Sequence, residues 1–142
     1  MKNNKLRKYV EKYEKSIEEY GNKLDLIIDN INKALFNEKL ITVKSKINAQ
    51  ETIVRIIENQ MTNSYLIPVF TDLQEYNKLK EEIDFEQEGS TLSPYITDIH
   101  EFIEIGLKDP KFEGIIINPS SQNFRIEINS VIEYNSKYLK EQ

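Results

Sequence analysis

The apolar residues of this chain keep two different periods, and the change falls near residue 40. Before it they recur at three- and four-residue steps: Leu6, Tyr9, Val10, Tyr13, Ile17 and Tyr20, then Leu24, Ile27, Ile28, Ile31, Ala34 and Leu35. That spacing places each set on one face of a helix. It predicts helices over 5–20 and 23–37, with Gly21-Asn22 as the stop between them, or else one long bent helix, since a single glycine costs only about 1 kcal/mol relative to alanine. After it, Ile41, Val43 and Ile47 alternate with Thr42, Lys44 and Lys46, the period of a half-buried strand. A chain that carries both periods must pack helices on a sheet.

The rest of the chain continues the mixture. Thr52 to Glu58 is rich in β-branched residues and reads as a second strand. A polar hairpin loop over 59–64 leads into a third strand, Tyr65 to Phe70. Pro68 has no N–H to give to a ladder, so this strand is expected at a sheet edge, or Pro68 at a bulge. Asp72 and Glu75 have capping-box spacing, and Leu73, Tyr76, Leu79 and Ile83 form the stripe of the helix they open. A short extended piece spans Leu92 to Ile96. A helix starting at Thr97-Asp98 should face Ile99, Phe102, Ile103 and Leu107 inward. Pro110 biases Asp109 away from helical torsions and ends it.

Gly114 to Asn118 reads as a buried strand and Pro119 to Gln122 as a turn. Phe124, Ile126 and Ile128 form the other arm of a hairpin. Asn129 is the expected N-cap of a last helix carrying Val131, Tyr134, Tyr138 and Leu139. The expected architecture is therefore α+β: a single mixed β-sheet of about five to six strands covered by helices, with an N-terminal helical segment. Residues 1–142 make one domain, with 1–22 as an N-terminal helical extension.

A domain of 142 residues buries roughly 68–70% of its unfolded surface, enough to stand without a disulfide or metal staple. The absence of cysteine removes disulfides, thiolate nucleophiles and thiolate zinc sites, and fits a reducing cytoplasm. The N-terminal run Lys2 to Lys8 is charged and lacks the apolar core of a secretory signal. No apolar run approaches the roughly 18 residues of a membrane span. The expectation is a cytoplasmic protein with no membrane partner.

The chemistry is sparse. His100 is the one histidine; it reads as a helix-surface residue with Glu104 at i+4 as a possible partner. The four glycines, Gly21, Gly89, Gly106 and Gly114, are scattered, so no phosphate-cradling loop exists. No Gly-x-Ser-x-Gly elbow or EF-hand loop is present either. The expectation is no enzyme, no catalytic residue, no cofactor and no metal site. A net charge of −5 argues against nucleic acid, whose phosphates need a positive footprint. One run, Glu81, Glu82, Asp84, Glu86 and Glu88, contains no base and is a candidate contact for a basic protein.

Two segments carry more than composition. One is Leu66-Ile67-Pro68-Val69-Phe70-Thr71-Asp72-Leu73; the other is Gly114-Ile115-Ile116-Ile117-Asn118-Pro119-Ser120-Ser121. Together they resemble the N-terminal domain of the SseB family of bacterial proteins. That family shows a Pro-x-Phe-Thr-Ser-like strand end before a helix, and later an apolar strand closing in Asn-Pro and small residues. The resemblance runs from about Ile31 to the C-terminus. Asp72 stands where serine is common, and Asn63-Ser64 replaces an Asp-Gly-like turn. The resemblance implies an α+β module and brings no catalytic residues with it.

If the two strands are parallel neighbours, both motifs lie at one end of the sheet, where open α/β sheets tend to bind ligands. Phe70, Thr71, Asp72, Asn118, Pro119 and Ser120 are then a candidate interaction edge. The leading expectation is a non-catalytic interaction or accessory module with a protein partner. The alternatives are a small acidic immunity or inhibitor protein that binds a basic toxin, and a small-molecule-binding or enzymatic domain at the motif edge. A homodimer through the tyrosine-bearing first helix is compatible with the sequence.

Overall fold

A computed structural model describes residues 4–19, 24–82 and 90–141. Helices α1 (Asn4–Glu19) and α2 (Leu24–Asn37) come first, as their periodicity predicts. Strands β1 (Leu40–Ile47), β2 (Gln50–Ile53) and β5 (Ser90–Thr97) form an antiparallel sheet in the order β2-β1-β5. Strands β3 (Ile56–Asn59), β4 (Ser64–Val69), β6 (Phe112–Ile117) and β7 (Phe124–Glu127) form a second sheet in the order β3-β4-β6-β7. Within it β4 and β6 are parallel and the other pairs antiparallel. Helices α3 (Leu73–Glu82), α4 (Ile99–Lys108) and α5 (Ile128–Glu141) complete the fold. No described helix is long and apolar enough to cross a membrane.

The α+β class is as expected, but the single sheet is not. Seven described strands divide into two sheets, joined by one antiparallel bridge between Ile41 and Phe70. The segment read as one strand, Thr52 to Glu58, is two strands in different sheets. The Val54 N–H still bonds the Val43 carbonyl of β1 at 2.9 Å. Beyond it the chain crosses to β4, and Ile56 pairs with Leu66. No glycine or proline marks the crossing, because the choice of partner strand makes the break.

Pro68 shows how the sheets join. β4 is an interior strand, not an edge, and Pro68 lies opposite Ile116 of β6. Along a strand, successive residues turn their N–H and C=O groups to opposite sides. The Pro68 carbonyl accepts from the Thr42 hydroxyl at 2.7 Å, on the side away from β6. On that side β3 pairing has stopped at Leu66. The missing N–H therefore faces a gap in the ladder, and proline costs no strand hydrogen bond there. Two residues later the Phe70 N–H donates to the Ile41 carbonyl at 2.8 Å and closes the junction.

The main core joins β4 and β6 to α1, α2, α4 and α5, through residues such as Leu6, Val10, Leu35, Ile67, Phe102, Ile115 and Val131. A smaller core sits under α3 and contains Ile41, Val43, Phe70, Tyr76, Leu79 and Leu92. Helix α1 thus packs into the core, although the sequence had set 1–22 apart as an extension. Leu73 and Leu107, expected inside, are 48% and 69% exposed. Each lies in a terminal turn of its helix, beyond the buried stripe. The last helix starts at Ile128, which is buried, so Asn129 falls in its first turn rather than at the cap.

Tyr65 anchors the start of β4. Its ring stacks on Phe112 at 5.5 Å, and its hydroxyl donates to Asp109 Oδ2 at 2.7 Å. Burial first, and this bond second, push the phenol from 10.0 up to about 12. A raised folded-state value means that the neutral hydroxyl stabilises the fold. This contribution is complete below pH 10.0 and is lost as pH rises through about 12. A spectrophotometric phenolate titration should therefore show one tyrosine ionising well after the exposed ones, and Tyr65→Phe should remove that late step.

Candidate functional site

The parallel pairing of β4 with β6 brings both motifs to the same sheet end. The Asn118 N–H donates to the Val69 carbonyl at 2.8 Å and extends the ladder by one bond. Asn118 then turns left-handed, with φ 48°, a conformation asparagine tolerates better than most residues. Its carbonyl accepts from the N–H groups of Ser121 and Asn123, which closes the turn. Its side chain reaches across to the other motif. Oδ1 accepts the Thr71 N–H at 3.0 Å, and Nδ2 donates to Thr71 Oγ1 at 3.0 Å and to Gln122 Oε1 at 2.7 Å.

The candidate edge is therefore brought together, but most of it faces inward. Phe70, Thr71 and Asn118 are buried, while Asp72, Pro119 and Ser120 are half-buried. Ser120 Oγ is itself buried and makes no hydrogen bond among the described residues. Of the acidic run, Glu81 is exposed on α3 and Glu82 closes that helix. Asp84, Glu86 and Glu88 lie outside the described residues.

Sequence reasoning missed the centre of this arrangement, Glu75. Half of the capping box forms: Asp72 Oδ1 accepts the Glu75 N–H at 3.0 Å. The Glu75 carboxylate does not reach back to complete it. Its side chain is 0% exposed, and it accepts from Arg7 Nη2 of α1 at 2.5 Å. Ser121 Oγ lies 2.8–2.9 Å from both carboxylate oxygens, and Lys78 Nζ lies 3.2 Å from Oε1. Arg7 also reaches Asp72 Oδ2 at 3.4 Å. Gln122 Nε2 donates to the Arg7 carbonyl at 3.0 Å. The available signal was a lone arginine on the first helix, but nothing local pairs it with a residue 68 positions away.

Burial alone would raise the Glu75 carboxyl, but hydrogen bonds from Arg7, Ser121 and Lys78 outweigh it and hold the group below the usual carboxylate range. Burial likewise works against the Arg7 charge, and Glu75 with Asp72 overcomes it, so the guanidinium stays above its usual value. Chemically this is a fixed ion pair. A carboxylate whose acceptors are filled and whose proton affinity is depressed is a poor general base at neutral pH. The cluster ties α1, α3 and the 118–123 turn to one point.

His100 stands apart from it. The residue is exposed, its ring meets Phe36 edge-on at 5.7 Å, and it forms no ion pair with Glu104 among the described residues. Tyr9 and Tyr13, the proposed dimer contacts on α1, are partly buried against the main core, and Tyr13 meets Phe124 edge-on at 5.0 Å. The outer face of α1 differs. Lys5, Lys8, Lys12 and Lys15 line a groove of about 380 Å³ with Tyr9 and Glu11. All four lysines are exposed, and none has a carboxylate within ion-pair distance among the described residues. No family model matches the chain, and no curated protein and no solved structure matches it.

Proposed function

We propose that this chain is a non-catalytic, cytoplasmic interaction or accessory module of the kind its resemblance to the SseB N-terminal domain implies, and that it meets an acidic protein partner through α1. The observation that carries this reading is the lysine row along the α1 groove, which has no carboxylate within ion-pair distance among the described residues. Steps of three, four and three residues keep Lys5, Lys8, Lys12 and Lys15 on one helix face. Four like charges side by side repel one another, so a surface that neutralises them gains affinity and on-rate. At the strand ends Thr71, Asp72 and Asn118 favour the same reading, because their polar groups are engaged with one another.

The test is a pull-down from native lysate read by mass spectrometry, with Lys5→Glu, Lys8→Glu and Lys12→Glu combined in the control bait. An acidic protein held by wild type, lost by the control and released by moderate salt is the expected result. Retention of the same protein by both baits rejects α1 as the contact. Recovery of nucleic acid instead would overturn the protein-partner assignment. The second reading is a small acidic inhibitor of a basic toxin, which the carboxylate run Glu81 to Glu88 favours. A basic protein retained by both baits would support it.

A further inference from the structure

The two sheets touch at the Ile41–Phe70 bridge and separate from there. Between them a cleft of about 690 Å³ opens, with β1 and β2 on one side and β4 on the other. That volume falls within the roughly 300–1,000 Å³ typical of small-ligand sites. Its walls include Ile47, Ile53, Ile67, Leu92 and Ile105. Arg55 is the one charged residue among the described lining residues.

Arg55 is there because of the strand crossing. Val54 completes the last bond to β1, and Arg55 is the next residue, between the sheets. Its guanidinium carbon lies 4.3 Å from the centre of the Tyr65 ring. Tyr65 is in turn held by Phe112 and Asp109. The Asp109 carboxylate is near enough to feel the Arg55 charge, but no carboxylate lies within ion-pair distance of Arg55 among the described residues. The result is a positioned cation, with N–H donors that make no hydrogen bond among the described residues, beside an apolar slot.

We propose that this cleft binds an amphipathic carboxylate, its head on Arg55 and its alkyl tail along the apolar wall. A single guanidinium matches the charge and the fork geometry of one carboxylate. Ser45 and Thr52 line the same cleft, and residues of that polarity suit the head group. The site is separate from the α1 groove and stands whether or not the interaction reading holds.

The experiment is calorimetric titration of the full chain with straight-chain alkanoates of increasing length, kept below their micelle concentrations. Matched alkanols and alkyl phosphates serve as comparisons. Each added methylene should tighten binding about fourfold until the cleft is filled. Arg55→Gln should weaken the alkanoate by about tenfold or more, because a charge-assisted bond is lost, and should leave the alkanol unchanged. Arg55 is exposed, so this variant should keep the fold. Ile47→Asn, at a position 42% exposed, should weaken alkanoate and alkanol alike. Equal affinity for alkanol and alkanoate, an unchanged Arg55→Gln, tighter binding of the alkyl phosphate, or no saturable binding at any length would each overturn the assignment.

Discussion

Replacing Asn118 with alanine should cost the folded state about 3–4 kcal/mol, read as a lower urea midpoint with an unchanged slope. Two losses add. The buried Thr71 N–H loses its acceptor, at about 1–3 kcal/mol for an unsatisfied buried donor. Alanine must also hold the left-handed φ of 48°, which costs about 1–2 kcal/mol more. Asn118→Gly separates the two, since it relieves the backbone strain but still leaves Thr71 without its acceptor. It should therefore recover about 1 kcal/mol relative to alanine. Asn118→Asp keeps an acceptor for Thr71 but loses the donor to Thr71 Oγ1 and Gln122 Oε1, and should fall between wild type and alanine. A loss below about 1 kcal/mol in the alanine variant would show that the cross-motif bonds do not hold the strand ends. It follows that lost partner binding in an Asn118 variant reports unfolding before it reports contact.

Removing Arg7 should be nearly as damaging. Arg7→Ala leaves the Glu75 carboxylate buried without its main partner, a change that typically costs about 3–5 kcal/mol. The lower end is expected, because Ser121 and Lys78 remain and the Arg7 side chain is itself 29% exposed. The pH dependence identifies the mechanism. In wild type the folded-state value of Glu75 is depressed. The pair therefore stabilises the fold above the ordinary carboxylate range, and this contribution is lost as pH falls through the folded-state value. In Arg7→Ala the desolvation persists while the compensating charge is gone, so the carboxyl should shift upward and take up a proton more readily. The deficit of the variant should thus be largest near neutral pH and shrink in acid. A deficit that stays constant from neutral pH to pH values below the carboxylate range would point to lost packing of the arginine stem instead. Replacing Arg7 and Glu75 together with methionine should recover much of the loss.

The legible parts of this fold are those governed by local periodicity. Leu6 and Val10, Leu24 to Leu35, and Ile99, Phe102 and Ile103 mark their helices through spacing alone, and the β6–β7 hairpin follows from Phe124 and Ile126 alternating after an Asn-Pro turn. Even the parallel register of β4 and β6 was framed in advance as a condition on the two motifs. What escaped depends on partners distant in sequence. The division of Thr52 to Glu58 is decided by Val43 and Leu66, which take its two halves into different sheets. Pro68 signals an edge locally, yet it is tolerated inside because β3 ends before reaching it. Glu75 carries the pattern of a helix cap but spends its carboxylate on Arg7. The two motifs do lie at one sheet end, but the hydrogen bonds that turn Thr71 and Asn118 inward were not visible in residue types.

The bond from Gln122 to the Arg7 carbonyl spans 115 positions. During synthesis α1 emerges early, yet the turn that grips it is made only after β6. Until then Leu6 and Val10 lack part of the core that finally covers them, and Arg7 has no Gln122 against its backbone. A nascent chain therefore carries the apolar face of α1 incompletely covered until that turn has been made. Closing a loop of that length also places the step among the slow, non-local ones. The joint between α1 and the 118–123 turn can thus close only after every strand up to β6 has been made.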